Sequence, residues 1–390
     1  MRGIRVGRVA GIPIQLNWTF LVILPVFAWL IAQQVQRLIE PLNGVLGLGV
    51  APGSLTGGVL PLVLGSAAAV GLFLSVLLHE FGHALAARRY GYGIQSITLW
   101  LFGGVAQFEE NPDDWRAELV IAVAGPAVSV GLGLGFGAVT RAVSLPDTAA
   151  FVVGYLALMN VVLAAFNMLP GFPMDGGRVL RALLASSYSY PKATKIAADV
   201  GKLFAFLMGF VGILSQDWLL VGLALFVYVA ASGEAQQTAL QAAFEDVTVG
   251  DIMTPGPEVK TVTPRTSVAE LLDKMVRERH TGYPVIENGR LVGMVTLEDA
   301  QGVREVEQDA YTVGDVMATD IASVAPETDA MQALQAMQSR GVGRLVVVDD
   351  AGELVGLISR TDLMTAFDII RRGGRIGGRF RDRGDGVVPR

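Results

Sequence analysis

The chain has 390 residues, 52% of them hydrophobic and 17% charged, and a mean hydropathy of +0.49, too apolar for an ordinary soluble protein. A formal net charge of −6 gives no footing for nucleic-acid binding. The absence of cysteine excludes disulfides, thiolate metal ligands and a cysteine nucleophile.

The apolar excess fills residues 18–232 and the remainder reads as soluble, so length and patterning predict two or three units. Arg2, Arg5 and Arg8 open the chain, and the alternation around Pro13 predicts a short strand. Residues 18–32 form the first predicted membrane span, anchored by Trp18. No small-residue cleavage site follows it, so it reads as an anchor rather than a signal peptide. Residues 33–58 read as a loop, and 59–87 as a second span closed by Arg88 and Arg89.

Near the end of that second span stands His79-Glu80-Phe81-Gly82-His83. On a helix the two histidines lie one turn apart on one face. At that spacing two imidazoles hold one zinc ion and leave room for a third ligand and a water. Glu80 sits about 100° round the helix, close enough to serve as a general base rather than a ligand. Helical histidines are mostly just packed or solvated. Here, however, the chain has only 3 His, two of them in this motif, inside an apolar stretch where ionisable groups are costly and therefore functional.

Residues 94–107 are rich in β-formers, with a Gly103-Gly104 turn, and are too short for a helical span. They read as a hairpin dipping toward the zinc, whose free edge would dock an extended peptide. Spans at 117–139 and 149–169 follow. The glycine series Gly131, Gly133, Gly135 and Gly137 in the first of them reads as helix packing. The second carries Asn160 and Asn167 and ends in the break Pro170-Gly171-Phe172-Pro173-Met174-Asp175. Two more spans, 200–214 and 218–231, complete about six.

Lys and Arg collect on the side of the N-terminus, Arg88, Arg116 and Arg178, which is therefore expected to be cytoplasmic. With that parity the second and fourth spans both run inward. Asp175 then reaches the depth of His79 and His83 and is the best third ligand on geometry, ahead of Glu109 and Glu110. An acidic turn residue beyond a helix end is the ordinary alternative.

These motifs, with Phe102-Gly103-Gly104-Val105, Ala124-Gly125-Pro126 and the run from Asn167 to Gly177, resemble the site-2 protease family of intramembrane zinc metalloproteases. The resemblance covers the membrane half. It implies a zinc endopeptidase acting on a transmembrane segment of a single-span protein, in regulated intramembrane proteolysis. Zinc would be held by His79, His83 and Asp175, with Glu80 as catalytic base and Asn167 on the substrate or its oxyanion. The competing reading is an ion transporter in which the same polar residues line an ion path. Glu80 and an Asn167 beside a Pro-Gly break favour the peptidase. No other span offers a His for a serine nucleophile or a pair of Asp residues.

After Phe244 the chain repeats itself with a period of about 63 residues, too long for a solenoid. Thr248-Val249-Gly250-Asp251 returns as Thr312-Val313-Gly314-Asp315, and the stretch from Leu291 to Asp299 as that from Leu354 to Asp362. This resembles a tandem pair of cystathionine-β-synthase (CBS) domains, which implies an α/β fold and adenine nucleotides (ATP, ADP or AMP). Thr296, Asp299, Ser359 and Asp362 are the candidate contacts, suited to phosphate and ribose hydroxyls. Plain helix capping is the alternative for both acids. Such pairs also serve as dimerisation modules. The first copy has Tyr283-Pro284-Val285 where the second is read as Arg344-Leu345-Val346, without the proline.

The expected organisation is a polytopic α-helical membrane domain with a membrane-associated β-hairpin over 1–244, CBS domains at 245–307 and 308–370, and a disordered basic tail at 371–390. The protein is expected in the cell membrane, multi-pass, with the N-terminus and repeats cytoplasmic.

Overall fold

The computed structural model describes residues 3–51, 53–100, 103–108, 112 and 114–372. Arg2, Phe102, Glu109, Glu110 and residues 373–390 of the tail lie outside them. Two compact units divide between Gln236 and Gln237.

The first unit opens with β1 (Ile4–Val9) and β2 (Ile12–Leu16), then α1 (Trp18–Leu46), α2 (Leu60–Arg89), β3 (Ile94–Trp100) and β4 (Gly103–Phe108). Helices α3 (Trp115–Ala142), α4 (Asp147–Asn167), α5 (Asp175–Ala185), α6 (Tyr190–Leu214) and α7 (Trp218–Phe244) follow, the last of them continuing past Gln236 into the second unit. Among the described residues six helices, all of these except α5, are long and apolar enough to cross a membrane. Leu21, Leu62, Phe206 and Leu219 are exposed along them.

Several helices outrun the sequence reading. Helix α1 does not stop at Ala32 but continues through Pro41 to Leu46, where Gly47 caps it in the left-handed conformation (φ 68°). Ile31, Val35, Ile39 and Leu42 explain the extension. Spaced as one helical face, they pack into a core with Leu64, Ala68, Phe151 and Tyr155. Gln33 and Gln34 interrupt the hydropathy of this segment but leave that stripe intact. Helix α6 likewise begins at Tyr190 rather than at residue 200. Of the glycine series only Gly133 meets a tight approach, with Ala157 O 3.1 Å from the place a Cβ would occupy; Gly131 and Gly135 face open space.

The expected lone strand at Pro13 is a hairpin, and it joins the second hairpin in one sheet of order β1-β2-β3-β4. Strands β2 and β3 run parallel, Ile14 opposite Ile97. The inner face of the sheet packs Ile12, Ile97 and Ala106 against Phe81 and Ala84 of α2. This places β4, an end strand, beside the His-Glu motif.

The second unit contains α8 (Val249–Ile252), β5 (Thr254–Pro255), α9 (Val268–Glu278), β6 (Gly282–Glu287), β7 (Arg290–Thr296) and α10 (Leu297–Gln301). The second repeat contributes α11 (Val313–Val316), β8 (Ser323–Val324), α12 (Ala330–Arg340), β9 (Arg344–Val348), β10 (Leu354–Ser359) and α13 (Arg360–Arg371). The repeats exchange their first segments. Strand β5 of the first repeat completes the sheet β5-β10-β9-β8 of the second, while Ala318 of the second bridges Met294 of the first.

Register corrects the alignment of the copies. Gly282 pairs with Thr296 and Arg344 with Ser359, so Gly282, not Tyr283, is the counterpart of Arg344.

Candidate metal centre

Two helices bring three acceptors together. Helix α2 presents His79 and His83, each 3% exposed, on one buried face. Asp175 is the first residue of α5, immediately after the Pro-Gly break. His79 Nε2 and His83 Nε2 lie 3.1 Å apart, and Asp175 Oδ2 stands 3.1 Å from the first and 3.2 Å from the second. A tetrahedral zinc with bonds of about 2.0–2.1 Å separates its ligand atoms by about 3.3 Å, so the triangle has the size of one face of such a site.

The tautomers point the same way. His83 Nδ1–H donates to Ile121 O at 2.7 Å, which leaves its Nε2 as a lone pair facing a carboxylate and a second imidazole. His79 Nδ1 is held by Ser129 Oγ at 2.9 Å. Acceptors converging in a buried space fit a cation, and outer hydrogen bonds of this kind orient metal-ligating imidazoles. Among the described residues His79, His83 and Asp175 form the one cluster able to hold a metal ion.

Other residues make the space. A Cβ on Gly125 of α3 would collide with Nε2 of His83 and come within 2.7 Å of Nε2 of His79. A Cβ on Gly82 would come within 2.8 Å of Ala124 O, so α2 and α3 meet at glycines on both sides. The loop before Asp175 is equally tight, with Gly176 and Gly177 against the backbone of residues 168–172.

Arg181 clamps that loop from α5. It pairs with Glu118 of α3 and, at 3.0 Å, with Glu234 of α7. Its guanidinium lies over Phe172 at 4.8 Å and over Tyr190 at 4.7 Å. No motif in the sequence singled out Arg181, Ser129 or Glu118. Glu118, an acid inside an apolar helix, was the available signal.

Glu80 is half-buried, and its Oε2 accepts a hydrogen bond from the Ala106 N–H at 3.1 Å. Asn167 is the last residue of α4, and its Nδ2 donates to Leu163 O at 3.0 Å. Asn160 is buried, donating to Ser75 Oγ at 3.0 Å and Leu156 O at 2.9 Å.

In the second unit Thr296 and Asp299 form a reciprocal capping box on α10, and Ser359 and Asp362 form its counterpart on α13. In each, Oδ2 of the Asp takes both the backbone N–H and the hydroxyl of the capping residue. The capping alternative is therefore realised at both positions. Arg344, which the sequence analysis did not single out, donates to Thr281 Oγ1 at 2.7 Å and so bridges the repeats. Burial lowers its pKa, opposed by the charge of Asp362.

A zinc metalloprotease of Methanocaldococcus jannaschii is 36% identical over 367 residues, 94% of this chain and 96% of the relative. The chain belongs to its family. The model for peptidase family M50 matches residues 67–146 and 138–208 of this peptidase, and the CBS domain model matches 249–303 and 313–369. Rip3 of Mycobacterium tuberculosis, named as a candidate zinc metalloprotease, is 32% identical over 94% of the peptidase and 93% of its own length. The solved site-2 protease of M. jannaschii is 33% identical, covering 60% of the peptidase and 95% of that chain with a TM-score of 0.42. By the family match and the six apolar helices, the peptidase is a multi-pass membrane zinc metalloprotease of peptidase family M50 with tandem CBS domains. Family membership selects it over the ion-transporter reading.

Proposed function

We propose that the peptidase cuts a transmembrane segment of another membrane protein, at a site where His79, His83 and Asp175 hold one zinc ion and Glu80 moves protons. The observation that carries this reading is the convergence of His79 and His83, on the helix of Glu80, with Asp175 at the start of α5. Zinc, when bound, supplies Lewis-acid polarisation of the scissile carbonyl and of the attacking water. Glu80 takes the proton of that water and delivers it to the leaving amine. Ser129 and the Ile121 carbonyl keep the two imidazoles turned inward. Asn167 serves the substrate or its oxyanion by turning its amide away from Leu163. The free edge of β4 receives the unwound segment as an added strand.

The membrane domain of this proposal spans 1–244 and the CBS domains 245–307 and 308–370, with the N-terminus and the repeats in the cytoplasm by the bias of Lys and Arg. The repeats bind an adenine nucleotide with Thr296, Asp299, Ser359 and Asp362 at the ribose and phosphates, through the oxygen each Asp leaves outside its cap. Arg344, set between the two candidate sites, adds a cation for phosphate. Nucleotide binding then modulates cleavage.

Purified peptidase with a fluorescent single-span substrate, with and without a chelator, tests the reading. Cleavage is expected to stop on chelation and return with zinc. Glu80→Gln should lose about 10²–10⁴ in rate while metal analysis still finds about one zinc per chain. Full activity in Glu80→Gln would refute the mechanism.

A further inference from the structure

The hydrogen bond that Ala106 N–H gives to Glu80 Oε2, 3.1 Å long, involves an end strand. Among the described residues β4 pairs on one side only, with β3. Along an antiparallel strand successive residues turn their N–H and C=O to opposite sides. An Ala106 N–H that reaches Glu80 therefore belongs to the free side, together with those of Gly104 and Phe108. The approach depends on Gly104, where a Cβ would collide with Glu80 Cγ. From below, Phe81 and Ala84 of α2 pack in one cluster with Ala106 and Ile97 and hold strand and helix together. A free edge N–H is what an added strand must pair with, and here the general base occupies it.

We propose that the Ala106 amide is contested. In the resting chain it holds Glu80. A substrate segment pairing with β4 takes that amide with its own carbonyl and releases the carboxylate for proton transfer. The inference rests on the peptidase reading above and adds a condition to it: the base is freed by a peptide lying in register along β4. A carboxylate is a stronger acceptor than a peptide carbonyl, so one carbonyl alone does not displace Glu80. Several consecutive strand bonds do, and the fitting substrate is extended over several residues. A segment still helical spends its carbonyls internally and leaves the base held.

The test uses the zinc-loaded full chain in detergent. Amide hydrogen exchange at Ala106 should be about tenfold faster or more in Glu80→Ala than in the wild type, with the amides between β3 and β4 unchanged. Binding of a fluorescent Val- and Thr-rich decapeptide is then compared in Glu80→Gln and Glu80→Ala. Both lack the base, so the peptide survives. The Gln oxygen still accepts from Ala106 and the alanine does not, so Glu80→Ala should bind roughly fivefold more tightly. Adding Ala106→Pro, which removes the edge N–H without breaking the ladder, should erase that difference. Unchanged exchange, or equal or weaker peptide binding by Glu80→Ala, overturns the contest. If the proline variant does not fold, the exchange and affinity measurements still decide. The peptidase reading fails by a different result, cleavage of the single-span substrate by Glu80→Gln at the wild-type rate, which leaves the exchange and binding results standing.

Discussion

The two candidate sites treat their carboxylates in opposite ways. Asp175 Oδ2 faces two imidazole nitrogens at 3.1 and 3.2 Å, one of which has its proton on the far side of the ring. Asp299 and Asp362 sit at helix starts where their own capping residues supply the donors. The second arrangement is complete in itself. Thr248 with Asp251 and Thr312 with Asp315 repeat it at two positions not proposed to bind anything. A converging set of acceptors implies a ligand, whereas a satisfied cap requires none. The proposed nucleotide binding in the repeats therefore leans on Arg344 and on the uncapped Asp oxygens.

The largest expected effect probes the incomplete site. Asp175→Ala should lose both zinc and cleavage, because one of three protein ligands is removed; metal analysis and the fluorescent assay read the two losses. Retained zinc in that variant would move the third ligand elsewhere and erase the contrast. Asn167→Ala should keep its zinc and lose roughly 10²–10³ in rate, the size of one lost oxyanion donor. A simultaneous loss of metal would make Asn167 part of the centre's scaffold instead.

A smaller change is expected at Ser129→Ala, which frees the outer nitrogen of His79. Zinc affinity should fall about 10–100-fold, as for other outer partners of ligating histidines, measured by competition with a chromogenic chelator. The smallest effect belongs to the complete sites. Asp299→Ala with Asp362→Ala should cost about 1 kcal/mol of stability per cap, seen in thermal unfolding. The same pair should remove the nucleotide response, which is itself expected to be several-fold, since such coupling is typically about 1–3 kcal/mol. Calorimetry with ATP, ADP and AMP checks the binding. No heat from any of them would leave the repeats as a dimerisation or docking module.

Legibility followed the distance over which each feature is decided. The His79–His83 pair was readable because one helical turn fixes it, and Asp175 because the parity of the spans returns the chain to the same depth. The exchanged repeat segments were not readable, since β5 pairs with β10 about a hundred positions later in the chain. The end of α1 was misplaced because hydropathy was read without the stripe of Ile31, Val35, Ile39 and Leu42.

By itself the sequence determined the six apolar segments, the His-Glu-x-x-His helix, the Pro-Gly break ahead of Asp175 and the repeat. Each of these is a matter of composition or of residues within a few turns of one another. Tertiary structure alone decided that Ser129 meets His79 across 50 positions, that Arg181 meets Glu118 across 63, and that Ala106 holds Glu80 across 26. It also decided that Gly125 opens the metal centre. These depend on how closely two helices, or a helix and a strand edge, approach one another. That spacing is set by the packing of many side chains at once, and no local pattern encodes it.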